Sequence, residues 1–86
     1  MQKIINILLK EIEEQRALYG SRTAIKQLKK GNAEKIYIAK DCPKEIEEKL
    51  IALNANLIKL ELTKEMLKEL CKKPFDISVI SILKKK

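Results

Sequence analysis

Four stretches of helical period alternate along this chain with four short β-prone runs, and that alternation limits the fold more than any other feature. Residues 2–15 place Ile5, Leu8, Leu9 and Ile12 on one apolar stripe. Ala17-Leu18-Tyr19 is either a short strand or the tail of that helix. Residues 21–30 bury Ala24, Ile25 and Leu28, with Gly31 as their C-terminal cap. Residues 35–39 form a compact β-branched and aromatic strand. Pro43 suits the first position of a helix over 43–55 that faces Ile46, Leu50, Ile51 and Leu53 inward. Residues 57–62 alternate, with Leu60 and Leu62 inside and Lys59 and Glu61 outside. Thr63 can cap a helix over 64–72 that buries Met66, Leu67 and Leu70, and Pro74 ends it. Residues 76–83 are the last and most β-prone run, and Lys84-Lys85-Lys86 is a charged tail.

Strands separated by helices require crossovers, and crossovers cover a sheet on both faces. The expected fold is therefore α/β: a three-layer α/β/α sandwich with a small four-stranded mixed sheet and about four helices. No Pro/Gly/Ser linker, repeat or low-complexity segment divides the sequence, so one domain over 1–86 is expected.

The 86 residues carry a formal net charge of +7, almost all of the positive charge being lysine, with arginine only at Arg16 and Arg22. At 45% hydrophobic residues the chain is no disordered tail, and a folded domain this basic points to a polyanionic partner. No apolar run approaches the ~20 residues that span a bilayer. Lys10, Glu11, Glu13 and Glu14 break up the N-terminal apolar stretch, which therefore reads as an amphipathic helix rather than a signal peptide. A cytoplasmic protein with no membrane partner is expected. Cys42 and Cys71 stand in a chain without histidine, at a spacing that matches no zinc pattern, and read as free, half-buried thiols with no metal or cofactor. An enzyme acting on a small molecule is disfavoured: there is no histidine, no Gly-rich phosphate loop, and no Ser or Cys beside a plausible base. Glu13-Glu14 and Glu47-Glu48 lie among lysines on helix surfaces, as salt-bridge-laced faces do.

One short window carries the candidate binding chemistry. In Gly20-Ser21-Arg22-Thr23-Ala24-Ile25-Lys26, a glycine and a small hydroxyl precede two cations four residues apart at the start of a helix. Ser21 can cap the free N–H groups of the first turn. Those groups, the positive end of the helix dipole, Arg22 and Lys26 together make a phosphate-binding surface. No acidic residue lies within the window, the next one downstream being Glu34. Each residue alone also fits an ordinary cap or a solvated cation.

Three segments in order resemble the archaeal and eukaryotic ribosomal L30e branch of the kink-turn RNA-binding superfamily that also holds the L7Ae proteins. The Gly20–Lys26 window resembles the start of its second helix. Ala33-Glu34-Lys35-Ile36-Tyr37-Ile38-Ala39-Lys40-Asp41-Cys42-Pro43-Lys44-Glu45-Ile46 resembles its strand-to-helix segment, and Lys73-Pro74-Phe75 with the strand ending Ile82-Leu83 resembles its final loop and strand. The L7Ae branch typically has Asn-Glu at the positions of Arg22 and Thr23, so a basic Arg22 is more similar to the L30e branch. Asp41 stands where the family often has asparagine, Met66-Leu67-Lys68 where it usually reads Glu-Leu-Gly, and Asp76 in a loop usually small or hydrophobic. The sequence is thus identified as a divergent member.

The resemblance implies a structural component of the large ribosomal subunit that stabilises a kink-turn in ribosomal RNA among neighbouring ribosomal proteins. A kink-turn crowds phosphates at a sharp bend, and a pre-formed cationic helix terminus favours the bent state. The implied RNA-binding residues are Gly20, Ser21, Arg22, Thr23, Lys26, Asp41, Phe75, Ile77 and Ser78. Phe75, Ile77 and Ser78 would form the opposite wall of the site, an apolar residue there packing on an unstacked base. Read without the resemblance, Phe75 and Ile77 fit core positions at the start of a strand, and Asp41 fits a cap for the helix that begins at Pro43. Two other functions remain open at this stage. One is a kink-turn protein of another ribonucleoprotein particle. The other is a protein-interaction module that has lost RNA binding, an idea motivated by Asp41 and Asp76.

Overall fold

A computed structural model describes residues 2–84; Met1 and the Lys85 and Lys86 of the charged tail lie outside the described residues. The elements run α1 (Gln2–Glu13), β1 (Ala17–Tyr19), α2 (Ser21–Lys29), β2 (Ala33–Ile38), α3 (Lys44–Ala52), β3 (Leu57–Lys59), α4 (Lys64–Leu70) and β4 (Val79–Leu83). The sheet order is β1-β4-β2-β3, with β2 parallel to β3 and β4 antiparallel to both β1 and β2. β1, β2 and β3 therefore all point one way, and β4 inserts between β1 and β2 in the opposite sense. Ala17-Leu18-Tyr19 is a strand and not a helix tail.

Alternation along the central strands divides the core in two. Tyr37, Ala39, Ile80 and Ile82 pack with Leu8 of α1, Leu67 of α4 and Cys71 at its C-terminal cap. Ile36, Ile38 and Val79 face the other way, onto Ala24 of α2 and Leu50 of α3. The outcome is the three-layer α/β/α arrangement over a mixed sheet. A parallel pair covered on both faces reads as a continuous apolar run, which accounts for the fully buried stretch 36–39.

Three side chains expected inside are outside: Leu9 is 39% exposed, Ile51 57% and Met66 49%. On α1 the inward stripe is Ile4, Leu8, Glu11 and Ile12 rather than Ile5, Leu8, Leu9 and Ile12. Glu11 is buried because its carboxylate is fully engaged. It accepts from Tyr37 Oη at 2.8 Å and pairs with Lys35 Nζ at 2.9 Å and Arg16 Nη1 at 4.0 Å. A buried charge with that many donors is tolerated where an unpaired one is not. On α3, Ile46 and Leu50 share the inner face, and Ile51 falls about 100° round the helix from Leu50. The expected strand over 57–62 shrinks to β3; beyond it the chain is joined to the end of β2 by Leu60 N–H to Ile38 O (2.9 Å) and Lys40 N–H to Leu62 O (2.8 Å).

Candidate nucleic-acid interface

The carboxyl ends of β1 and β2, the start of β4, and the starts of α2 and α4 converge at one end of the sheet. Register fixes this: Tyr19 stands opposite Ile80, and Ile38 opposite Val79. One residue further out, Gly20 N–H donates to Val79 O at 3.0 Å and Ala39 N–H donates to Ser78 O at 2.9 Å. The loop over 74–78 is held on its far side by Ile77 N–H to Lys64 O at 3.3 Å.

Gly20 occupies the N-cap of α2 with φ 103° and ψ 149°, and its carbonyl accepts from Ala24 N–H at 3.1 Å. A Cβ added at Gly20 would meet nothing within 4 Å. The requirement for glycine is therefore conformational, since other residues are strained at this φ. No side chain caps α2, so the expected Ser21 cap is not formed: the cap position is Gly20, and Ser21 is already helical. First-turn amides left uncapped by the protein can bind an anion. Arg22 and Lys26 are exposed on this helix, Ser21 and Thr23 half-buried beside them. Among the described residues neither Arg22 nor Lys26 makes an ion pair.

On the opposing loop the three expected residues part company. Phe75, the chain's only phenylalanine, is 48% exposed and is no core residue. Ser78 is half-buried, its carbonyl bound to Ala39. Ile77 is 1% exposed and packs with Leu67 and Ile80, so it supports the loop from beneath and does not reach a ligand. Asp41 is exposed at the same end of the sheet, but its Oδ1 accepts from Lys64 N–H at 2.8 Å. Together with Thr63, whose Oγ1 accepts from Met66 N–H at 3.2 Å, it caps α4. The cap expected from Asp41 on α3 is absent; that helix opens on Pro43, which holds the N-cap and not the first helical position, with no side-chain cap. Exposed Lys40 extends the positive surface from the end of β2.

Sequence reasoning missed the contact between Tyr19 and Lys73, in which Lys73 Nζ lies 4.9 Å from the centroid of the Tyr19 ring. No local pattern announces it, because the partners are far apart in sequence. Burial raises the pKa of the Tyr19 phenol, and the neighbouring Cys71 thiol raises it further. Burial likewise raises the Cys71 thiol against the opposing influence of Tyr19 and Lys73. Cys42 is raised by burial and by the charges of Glu47 and Asp41. Both cysteines are free, Cys42 half-buried and Cys71 buried. Among the described residues no cluster of His, Cys, Asp and Glu could hold a metal ion, and no helix is long and apolar enough to cross a membrane.

Comparison with known proteins places the chain by sequence and by fold. A model of the ribosomal protein L7Ae/L30e/S12e/Gadd45 family matches residues 3–86. The large ribosomal subunit protein eL30 of Archaeoglobus fulgidus is 32% identical over 63 residues, 73% of each chain. Its counterpart in Methanosarcina mazei is 28% identical over 86 residues, covering 96% of this chain and 84% of that protein. Among solved structures, the 15.5kD RNA binding protein of Giardia lamblia superposes with a TM-score of 0.76 at 23% identity, covering 99% of this chain and 74% of that one. A Bacillus halodurans protein of unknown function superposes at 0.78 with 14% identity, covering 93% and 83%. These two similarities are of fold.

Proposed function

The chain belongs to the ribosomal protein L7Ae/L30e/S12e/Gadd45 family, and on that footing we propose that it binds ribosomal RNA as a component of the large subunit, stabilising a kink-turn. The observation that carries the reading is the pairing of an uncapped, glycine-led helix start bearing the exposed Arg22 with a loop that exposes Phe75 at the same end of the sheet. Similarity to proteins named eL30 supports the ribosomal assignment. The activity is binding, not catalysis, and the place of action is the ribosome in the cytoplasm, among other ribosomal proteins.

Gly20 lets the backbone approach the RNA closely, and the first-turn amides of α2 receive a phosphate. Arg22 reads a guanine edge or a second phosphate through its two-pronged guanidinium, and Lys26 adds a phosphate contact one turn on. The Phe75 ring stacks on a base splayed out by the bend. This is recognition by shape and backbone, with few base contacts, as structured RNA requires. The Asp41 carboxylate caps α4 through Oδ1, so its presence here has a structural reason apart from RNA.

The test is titration of the protein against a kink-turn RNA and a straight duplex of equal length at two salt concentrations. Preference for the kink-turn, weakening with salt, is the expected result. Equal affinity for both would leave a basic surface with non-specific binding and reject the kink-turn reading.

A further inference from the structure

The two walls of the interface meet in a contact between side chains that the proposed RNA grip does not use. Tyr19 ends β1 immediately before Gly20, and Lys73 stands two residues before Phe75. The Lys73 backbone is fixed by the end of α4: Lys72 turns the chain at φ 55°, and Lys73 N–H donates to Lys68 O at 3.1 Å. Its ammonium then lies over the Tyr19 ring, 4.9 Å from the centroid. Among the described residues no carboxylate pairs with it. The ring beneath is half-buried, and burial beside the Cys71 thiol raises the pKa of its phenol, which favours the neutral form. The attraction is thus that of a cation for the face of a neutral ring. Beyond Lys73, the loop's hydrogen bonds to its surroundings are made by Ile77 and Ser78, and among the described residues none is made by Phe75.

We propose that Lys73 stacked on Tyr19 is a clamp that holds the Phe75 wall in register with the Gly20–Arg22 wall, so that both are positioning residues and not RNA contacts. The use of the clamp rests on the RNA reading above, whereas its existence does not. A lysine beside an RNA site invites the opposite assignment, a phosphate contact. The two differ in what they predict for the free protein and for salt.

The experiment compares the whole chain with Lys73→Ala, Tyr19→Leu and the double variant, first without RNA by hydrogen–deuterium exchange. Amides over 75–78 should exchange several-fold faster than wild type in each single variant, and no faster again in the double than in either single, with β2 and β4 unchanged. Tyr19→Phe keeps the ring face and should match wild type, which guards against a fold lost in Tyr19→Leu. In titrations with the kink-turn RNA, each single variant should weaken binding by about two- to five-fold, the size of one partly exposed cation–π contact. The losses should not add, and the salt slope should stay that of wild type. Unchanged exchange in Lys73→Ala overturns the clamp. So do additive losses with a salt slope reduced by ~1, which make Lys73 a phosphate contact. If wild type shows no kink-turn preference, the exchange measurements still decide the clamp and the RNA reading fails alone.

Discussion

Arg22 and Arg16 are the chain's two arginines, and their surroundings assign them opposite tasks. Arg16 donates through Nε to Leu83 O at 3.1 Å, meets Glu14 at 3.4 Å and pairs with Glu34, binding the end of α1 to the end of β4. Arg22 has no such partner among the described residues and stands exposed where α2 starts. Arg22→Ala should therefore weaken kink-turn binding by about 1–3 kcal/mol while leaving the urea midpoint in place. Arg16→Ala should do the reverse, lowering stability by roughly 1 kcal/mol with RNA affinity kept. A shifted midpoint in the first variant, or lost affinity in the second, would exchange the assignments. Lys26→Ala should reduce the salt slope by ~1 as one phosphate contact goes, and an unchanged slope would make Lys26 a solvated lysine. The exposed place of Arg22 at a helix start was legible in the sequence because its whole context lies within seven residues. Asp41 and Ile77 were not, since one answers to an amide on Lys64 and the other to the packing of Leu67 and Ile80. A resemblance transfers positions, but it cannot say which way a side chain points.

All four helices stop the same way, and the sequence disclosed only one of those stops. After α2, Gly31 takes φ 73° and the chain closes through Asn32 N–H to Gln27 O (2.9 Å) and Gly31 N–H to Leu28 O (3.1 Å). This pair of bonds is the Schellman pattern. The same pair recurs after α1 at Gln15 and Arg16, after α3 at Asn54 and Ala55, and after α4 at Lys72 and Lys73. Those three helices end on Gln15 (φ 60°), Asn54 (φ 59°) and Lys72 (φ 55°), where a reader of sequence expects glycine. Periodicity accordingly carries these three helices two to three residues too far. Glutamine is strained in this conformation and glycine is not. Gln15→Gly should thus raise stability by about 0.5–1 kcal/mol, read from the urea midpoint at constant slope. A lowered midpoint would mean that the entropy of the unfolded glycine chain outweighs the strain relieved. The inward turn of Glu11 on α1 was hidden for a related reason: hydrophobic periodicity cannot find a buried carboxylate whose partners, Tyr37 and Lys35, lie on another element.

Across the whole molecule, each resolved change in proton affinity runs in one direction. Tyr19, Tyr37, Cys42 and Cys71 are raised, chiefly by burial, which penalises their anions. Lys35 is raised although burial alone would lower it, because hydrogen bonds to Glu11 and Tyr37 and the charge on those groups outweigh desolvation. A group with a raised folded pKa binds its proton more tightly in the folded state. Its stabilisation is complete below the ordinary value and is lost as pH rises through the folded one. The ordinary values are 9.0 for the thiols, 10.0 for the phenols and 10.5 for the lysine. From about pH 9 upward the folded chain should hold more protons than the unfolded chain, so the unfolding free energy should fall with pH. Surface lysines complicate a bare measurement, because shedding their protons relieves the repulsion of a chain with net charge +7. Tyr19→Phe removes one linked group and leaves those lysines as they are. Urea midpoints under reducing conditions from pH 7 to 11 should therefore show wild type falling more steeply than Tyr19→Phe above pH 10. Below pH 9 the two curves should run parallel. Curves that stay parallel throughout would mean that the Tyr19 phenol titrates alike folded and unfolded, and that burial against Cys71 does not restrain it.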